Sequence, residues 1–487
     1  MSDYVLNQLQ PQQVWTIFES LCRVPRPSKH EQQVREWILN FAGEHKIEAL
    51  TDRTGNIILR KGATPGMEGL KGVVLQSHMD MVPQKNSDVS HDFLTEPIRP
   101  RIEDGWVKAT GTTLGADNGI GLCASLAVLA AQDIEHGPLE CLITYDEETG
   151  MTGAFELEPG ILQGDILINL DSEDHGEIFI GCAGGVNTIA QLPFEEEATP
   201  STMQAYQLAV KGLLGGHSGL DIHLGRGNAN KIMNRLLWKA AETSGLRLSS
   251  VQGGSLRNAI PRESFAVVAL PSEKTEDFEK LVQEFSNIVK KELASTDPGV
   301  TIEASTTSLP EFVIDKDTQA RFFNAVFSCP NGVYGMSADM PGLVETSNNL
   351  AIIKTEEKKI YFETLQRSSV ESQKEDVMQS VTAAFELAGA TTETTGDYPG
   401  WKPDVHSEIL QTLLHVFKTR FGSEPKIQAV HAGLECGLLG RVYPNWDMIS
   451  FGPTIRSPHS PDERVNIESV NEFWNYLLEV LKNIPKK

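Results

Sequence analysis

The chain has 487 residues, and its 42 Lys and Arg against 66 Asp and Glu give a formal net charge of −24. That length exceeds one simple core and predicts two or three domains. The charge argues against nucleic acid or an anionic membrane as a partner. The opening residues, "MSDYVLNQLQPQQVW", lack the basic and apolar regions of a signal peptide. No apolar run approaches the ~20 residues of a membrane span. Cys22, Cys123, Cys141, Cys182, Cys329 and Cys436 are scattered without paired spacing. They read as buried, reduced thiols of a cytoplasmic protein.

Residues 12–44 read as helices around the Pro-rich turn "RVPRPSKHE", with Ser28 and Glu31 spaced as a capping box for the second helix. Strand-like runs follow: "NIILR", "GVVLQSH", "LECLITYD" and "DILINLD". The apolar helix "DNGIGLCASLAVLAAQ" lies between the second and third. This alternation predicts an α/β domain with a buried sheet and with functional groups at strand ends. Near residue 187 the pattern changes to amphipathic or edge strands ("YQLAVKGLLGG", "SFAVVAL", "KKIYFETLQRS") and long helices. Near 397 it returns to a helix and then a strand-like "DMISFGPTI". The reading is a catalytic α/β domain of residues 1–186 and 397–487. An α+β lid, 187–396, interrupts it, and in the lid the order strand, helix, strand, helix occurs twice.

The chemistry-bearing residues sit where these strands end. In "VVLQSHMDMVP", His78 and Asp80 are two apart and share one face of an extended chain, as a ligand and its orienting partner would. An ordinary polar strand end reads the same way. Asp117, in "GADNG", stands where a helix N-cap belongs. "TYDEETG" places Asp146, Glu147 and Glu148 together, either as a solvated loop or around a cation. "INLDSE" ends in Asp171, and "RSPHSPDE" holds His459 between prolines. Taken together, His78, Asp117, Glu148, Asp171 and His459 supply the imidazole and carboxylate ligands that two divalent ions need. Glu147 is then left to take a proton from water. No G-x-S-x-G elbow is present, and "HEQQV" lacks the second histidine of H-E-x-x-H.

These residues resemble the co-catalytic zinc metallopeptidases, the family that includes carboxypeptidase G, aminoacylase and the bacterial dipeptidases. The shared pattern is His-x-Asp, Asp at a helix start, Glu-Glu, a further acid and a late His. "VVLQSHMDMVPQKN", "GTTLGADNGIG", "GGHSG", "GGSLRNAIPRE", "YPGW", "HAGLECGL" and "PHSPDE" carry it over nearly the whole chain, most closely to the branch that cleaves aminoacyl-histidine dipeptides. The resemblance implies a zinc-exopeptidase-like fold, a mixed central sheet flanked by helices. It implies two zinc ions per subunit, with cobalt or manganese as substitutes. His78, Glu148, Asp171 and His459 would be terminal ligands and Asp117 the bridge, followed by a cis peptide. Asp80 would orient His78, and Glu147 would be the general base.

From the lid, His217 would meet the oxyanion, Asn258 would contact substrate and Arg367 would clamp its carboxylate. On the residues alone His217 reads as a turn histidine and Arg367 as an exposed edge-strand arginine. His431 and Glu435, spaced one helical turn apart, would line or support the pocket. The implied activity is hydrolysis of short unblocked dipeptides, preferentially Xaa-His including β-alanyl-histidine. A doubled lid would supply His217 within one chain, which still admits a homodimer. An N-acyl amino acid deacylase and a non-catalytic peptide-binding protein are the alternatives.

Overall fold

The computed structural model describes residues 5–487. It forms two compact units, one of residues 5–181, 403–429 and 434–487, the other of 182–402 and 430–433. Among the described residues no helix is long and apolar enough to cross a membrane.

The first unit is built on an eight-stranded mixed sheet. Its order is Glu48–Thr51, Ile57–Lys61, Leu139–Thr144, Val73–His78, Ile166–Asn169, Asp447–Ser450, Glu177–Cys182, Lys426–Val430. The strands from Leu139–Thr144 to Asp447–Ser450 run parallel to one another, and the other described pairings are antiparallel. Val73–His78, Leu139–Thr144 and Ile166–Asn169 are buried at every position. That is why they read as continuous apolar runs rather than alternating ones. The helix Ala116–Ala130 is apolar all round and buried from Ala116 to Leu129, as such a helix must be. Ser407 caps the helix Glu408–Phe421 by accepting from Leu410 N–H at 3.1 Å. It also donates to Asp447 Oδ1 at 2.6 Å, tying that helix to the sheet.

The capping box at Ser28 does not form. The helix Gln32–His45 starts after Glu31 without a side-chain cap. Lys29 turns into the left-handed region (φ 68°), and the Glu31 carboxylate folds back to accept from Lys29 N–H at 2.9 Å. Ser28 faces the Met81 carbonyl instead.

The second unit carries a nine-stranded sheet, eight strands of which form two halves with one connection pattern, while the ninth, Gly332–Met336, pairs with Val344–Glu356. In one half the chain runs Met203–Lys211, helix Ala229–Ser244, Arg247–Gly253, Ser264–Pro271, helix Thr275–Glu292, Thr301–Thr307. In the other it runs Gly184–Pro193, helix Lys316–Ser328, Val344–Glu356, Lys359–Ser368, helix Glu371–Leu387, Thr391–Tyr398. Each half lays its strands side by side in the order fourth, first, third, second. The two second strands pair antiparallel where Gln252 meets Lys354 and Gly253 meets Ile353. The first half is inserted into the second after its opening strand. Both share one apolar core, in which Phe362 lies 5.9 Å from Phe322 and 4.6 Å from Phe385 between ring centroids.

The loop that bears His217 leaves the strand Met203–Lys211 and returns at the helix Ala229–Ser244. Asp297, fully buried, fastens both ends of it. Its Oδ1 accepts from Leu214 N–H and its Oδ2 from Gly227 N–H, each at 2.8 Å. Asp297→Ala orphans both amides, at a cost of about 2–4 kcal/mol if each is worth roughly 1–3 and one is partly hydrated. The expected result is a lowered melting temperature and faster proteolysis within residues 214–227. Unchanged cleavage there would show that the loop is held by something else.

Candidate metal centre and active site

The parallel strands place the site. His78 ends its strand, and Glu147, Glu148, Asp171 and His459 follow the carboxyl ends of Leu139–Thr144, Ile166–Asn169 and Asp447–Ser450. Open α/β sheets bind ligands at that edge. Asp117 enters from the side, at the start of the helix Ala116–Ala130. It is not the N-cap: Gly115 holds that position at φ 71°, and Asp117 and Asn118 have non-helical backbone angles inside the first turn. The Asp117–Asn118 peptide is cis, and Asn118 Nδ2 donates to the Leu170 carbonyl at 2.8 Å. Glu147 and Glu148 lie on one short helical turn, Glu147–Gly150, rather than on an extended chain, so they diverge by helix geometry.

The side chains converge in two trios that share Asp117. His78 Nε2 lies 3.1 Å from Asp117 Oδ1 and 3.5 Å from Asp171 Oδ1. His459 Nε2 lies 3.2 Å from Asp117 Oδ2 and 2.9 Å from Glu148 Oε2. Within each of the groups His78–Asp117–Asp171 and Asp117–Glu148–His459 the ligand atoms all fall within 4.8 Å of one another. Asp171 Oδ1 and Glu148 Oε1 are buried without a hydrogen-bond partner. Three carboxylates and two imidazoles suit a pair of divalent ions of the zinc type in donor chemistry and in charge. Buried carboxylate oxygens without donors are what such ions would satisfy.

Asp80, fully buried, faces His78 Nδ1 at 3.3 Å. Its two oxygens also accept from Glu147 N–H at 3.1 Å and Glu148 N–H at 3.2 Å. One carboxylate thus lies against the histidine ring and fixes the turn that presents both glutamates.

Residues 74–483 match the pattern of peptidase family M20/M25/M40. The chain belongs to that family. It is 47% identical over 482 residues to the cytosol non-specific dipeptidase of Escherichia coli K12, spanning 99% of each chain. The crystal structure of aminoacylhistidine dipeptidase from Vibrio alginolyticus superposes with a TM-score of 0.96 at 48% identity, over 99% of this chain and 98% of that one. Aminopeptidase PepT from Bacillus cereus shares the fold at 16% identity, with a TM-score of 0.58 over 98% and 99% of the two chains.

The electrostatics of this M20 site follow from burying so many acids together. Burial, then the Glu435, Asp171 and Glu148 carboxylates, push Glu147 well above the usual carboxylate range, against the pull of His78. Burial also raises Asp171 to about 7 despite His78 beside it. Hydrogen bonds to Asp117 and Glu148 hold His459 up at about 11. Glu435 is buried at the start of the helix Glu435–Val442, so His431 lies outside that helix and the two are not a helical pair. Glu435 Oε2 accepts from Gln76 Nε2 at 2.6 Å and Thr144 Oγ1 at 3.0 Å.

The sequence gives no sign of Arg26 and Glu463, both buried, which grip the backbone of the loops that carry the candidate ligands. Their partners are main-chain groups, for which no residue pattern gives a signal.

In the second unit, His217 sits in a two-residue strand paired with Ala259–Ile260. Its Nδ1 accepts from Gly219 N–H and Leu220 N–H, both at 3.1 Å. The ring hydrogen is therefore on Nε2, which is left as a donor. Burial, then the charge of Arg367, lower its pKa and keep it neutral. Arg367 is not on an edge strand. Its strand pairs on both sides, and the side chain is buried, with Nη1 donating to Tyr398 OH at 2.8 Å. Asn258 is exposed. It lines a groove of ≈ 780 Å³ together with His217, and its carbonyl accepts from Ser218 N–H at 2.8 Å.

His431, nine-tenths buried, has its Nε2 2.7 Å from Ser347 Oγ. Burial, then Arg367, push it down from 6.5 to about 3. Between those values the unfolded chain binds a proton that the folded chain does not, so stability falls as pH drops below about 6.5. At pH 4.5 this costs about 2–3 kcal/mol. In metal-free protein, urea unfolding at pH 7 and 4.5 should show a shallower loss for His431→Gln than for the parent. Equal losses would refute the assignment.

Proposed function

We propose that this M20 peptidase is a cytoplasmic dipeptidase. Its substrates are short unblocked dipeptides, with Xaa-His, including β-alanyl-histidine, preferred. The observation that carries the reading is the pair of trios meeting on Asp117, with one of its oxygens toward His78 and the other toward His459. The names of the two relatives near half identity, a cytosol non-specific dipeptidase and an aminoacylhistidine dipeptidase, support the substrate class.

His78 and Asp171 would hold one zinc ion, Glu148 and His459 the other, and Asp117 both; cobalt or manganese could replace zinc. Such ions supply a water of lowered pKa and polarise the scissile carbonyl. Glu147 would take a proton from the attacking water and hand it to the leaving amine. Asp80 keeps the His78 ring and the Glu147 amide in register while this happens. His217, neutral with its proton on Nε2, donates to the oxyanion. Arg367 pairs with the substrate's C-terminal carboxylate, a bidentate match in shape. Asn258 contacts the substrate.

The test is amino acid release from β-alanyl-histidine, glycyl-histidine and glycyl-leucine, beside N-acetyl-histidine, by zinc-loaded protein. Release is expected from the dipeptides, fastest with C-terminal histidine. Glu147→Gln should retain two zinc ions and lose about 10²–10⁴ in kcat. Arg367→Lys should raise KM. Preference for the acetylated amino acid would replace the dipeptidase reading with a deacylase, and no turnover of any substrate would remove it. In equilibrium dialysis, Asp171→Asn should keep one tightly bound zinc and Asp117→Asn neither.

A further inference from the structure

The turn that carries Asp117 is gripped from both sides by two buried charges of opposite sign. Glu463, 2% exposed, spends both oxygens on it. Oε2 accepts from Leu114 N–H at 2.7 Å and Gly115 N–H at 2.9 Å; Oε1 accepts from Ala116 N–H at 2.7 Å and Asp117 N–H at 3.2 Å. Arg26, also 2% exposed, takes the carbonyls. Its Nη2 donates to Gly115 O, and its Nη1 donates to Met79 O at 3.1 Å and Asp80 O at 2.8 Å. The Gly115 residue thus gives its N–H to an anion and its carbonyl to a cation. The same arginine reaches the chain just past His78, and Glu463 lies four residues past His459 in the loop between Arg456 and Arg464. A Cβ on Gly115 would meet Arg26 Nη2 at 2.5 Å and Met81 Sδ at 2.8 Å, so the turn is also fitted to the clamp sterically.

We propose that Arg26 and Glu463 are positioning residues that set the geometry of Asp117 between His78 and His459. The inference rests on the proposed sharing of Asp117 by two ions. An isolated turn of this kind leaves four amide donors unsatisfied and has no reason to hold its aspartate at one angle. One carboxylate accepting four charge-assisted hydrogen bonds removes both problems, and it links the loop of the last histidine ligand to the bridging ligand. Every bond of the clamp is made within the protein. Asp117 is pre-set, and the ordering cost of the bridge falls in folding rather than in metal binding.

The test reads metal binding without substrate, so it is independent of which peptide is cleaved. Glu463→Gln keeps the shape and turns an amide group toward amide donors. It should weaken zinc at both positions about tenfold or more, at least halve the rise in Tm that zinc gives the metal-free protein, and change the visible spectrum of the cobalt form. Glu463→Asp should recover part of each. Asp462→Asn removes an exposed charge next door and should change none of them. A purely structural Glu463 would lower the Tm of metal-free protein while leaving the zinc-induced rise and the cobalt spectrum as in the parent, and that result overturns the proposal. Should Glu463→Gln not fold, hydrogen exchange in the metal-free parent decides. Slow amides at residues 114–117 sustain the clamp, and amides that exchange freely until zinc is added refute it.

Discussion

Carboxylates buried side by side repel, and each must be given a reason to stay. Asp80, Asp117, Glu147, Glu148, Asp171, Glu435 and Glu463 crowd the carboxyl edge of one sheet. The fold answers the repulsion in three ways. Backbone amides take Asp80 and Glu463. Side-chain donors take one oxygen of Glu435. Glu148 Oε1 and Asp171 Oδ1, which no donor satisfies, are the oxygens that ions would answer. The site is an electrostatic problem solved piecewise, and the pieces left for a metal are those facing one another across Asp117.

Much of this could be read in the sequence because the parallel strands are short and buried. An apolar run that stops at a histidine or an acid marks the edge of such a sheet, and His78, Glu148 and Asp171 all sit within a few residues of such a stop. His459 and Asp117 stand out only in the company of the other candidate ligands. What was not legible depends on backbone conformation or on distance along the chain. The Ser28–Glu31 spacing fits a capping box, but a left-handed Lys29 sends Glu31 elsewhere. Asp117 looks like a cap, but Gly115 holds that position, and Asp117's own amide is taken by Glu463, 346 residues away. Arg367 looks like an edge residue because its strand alternates, yet a neighbouring strand covers each side. His217 reads as one more turn histidine until two backbone amides fix which nitrogen keeps the proton.

The second unit shows economy of a different sort. Its two halves repeat a connection order without visible sequence identity, and they join through their second strands into one continuous sheet. The residues of interest are not distributed evenly between them. His217 and Asn258 belong to the inserted half, and Arg367 to the outer half.

The nesting of those halves fixes the order in which they can close. The inserted half is contiguous from Met203 to Thr307, so all four of its strands leave the ribosome before the outer half has more than one. Gly184–Pro193, the strand that opens the outer half, pairs among the described residues with Lys359–Ser368 and Thr391–Tyr398. Its Thr188 bonds to Gln366, 178 residues later. Until that chain is made, an apolar strand made early stands with both hydrogen-bonding edges open. Such an edge invites mispairing, and the sheet of its own insertion is complete, with Arg247–Gly253 open at one edge, before its proper partners are made.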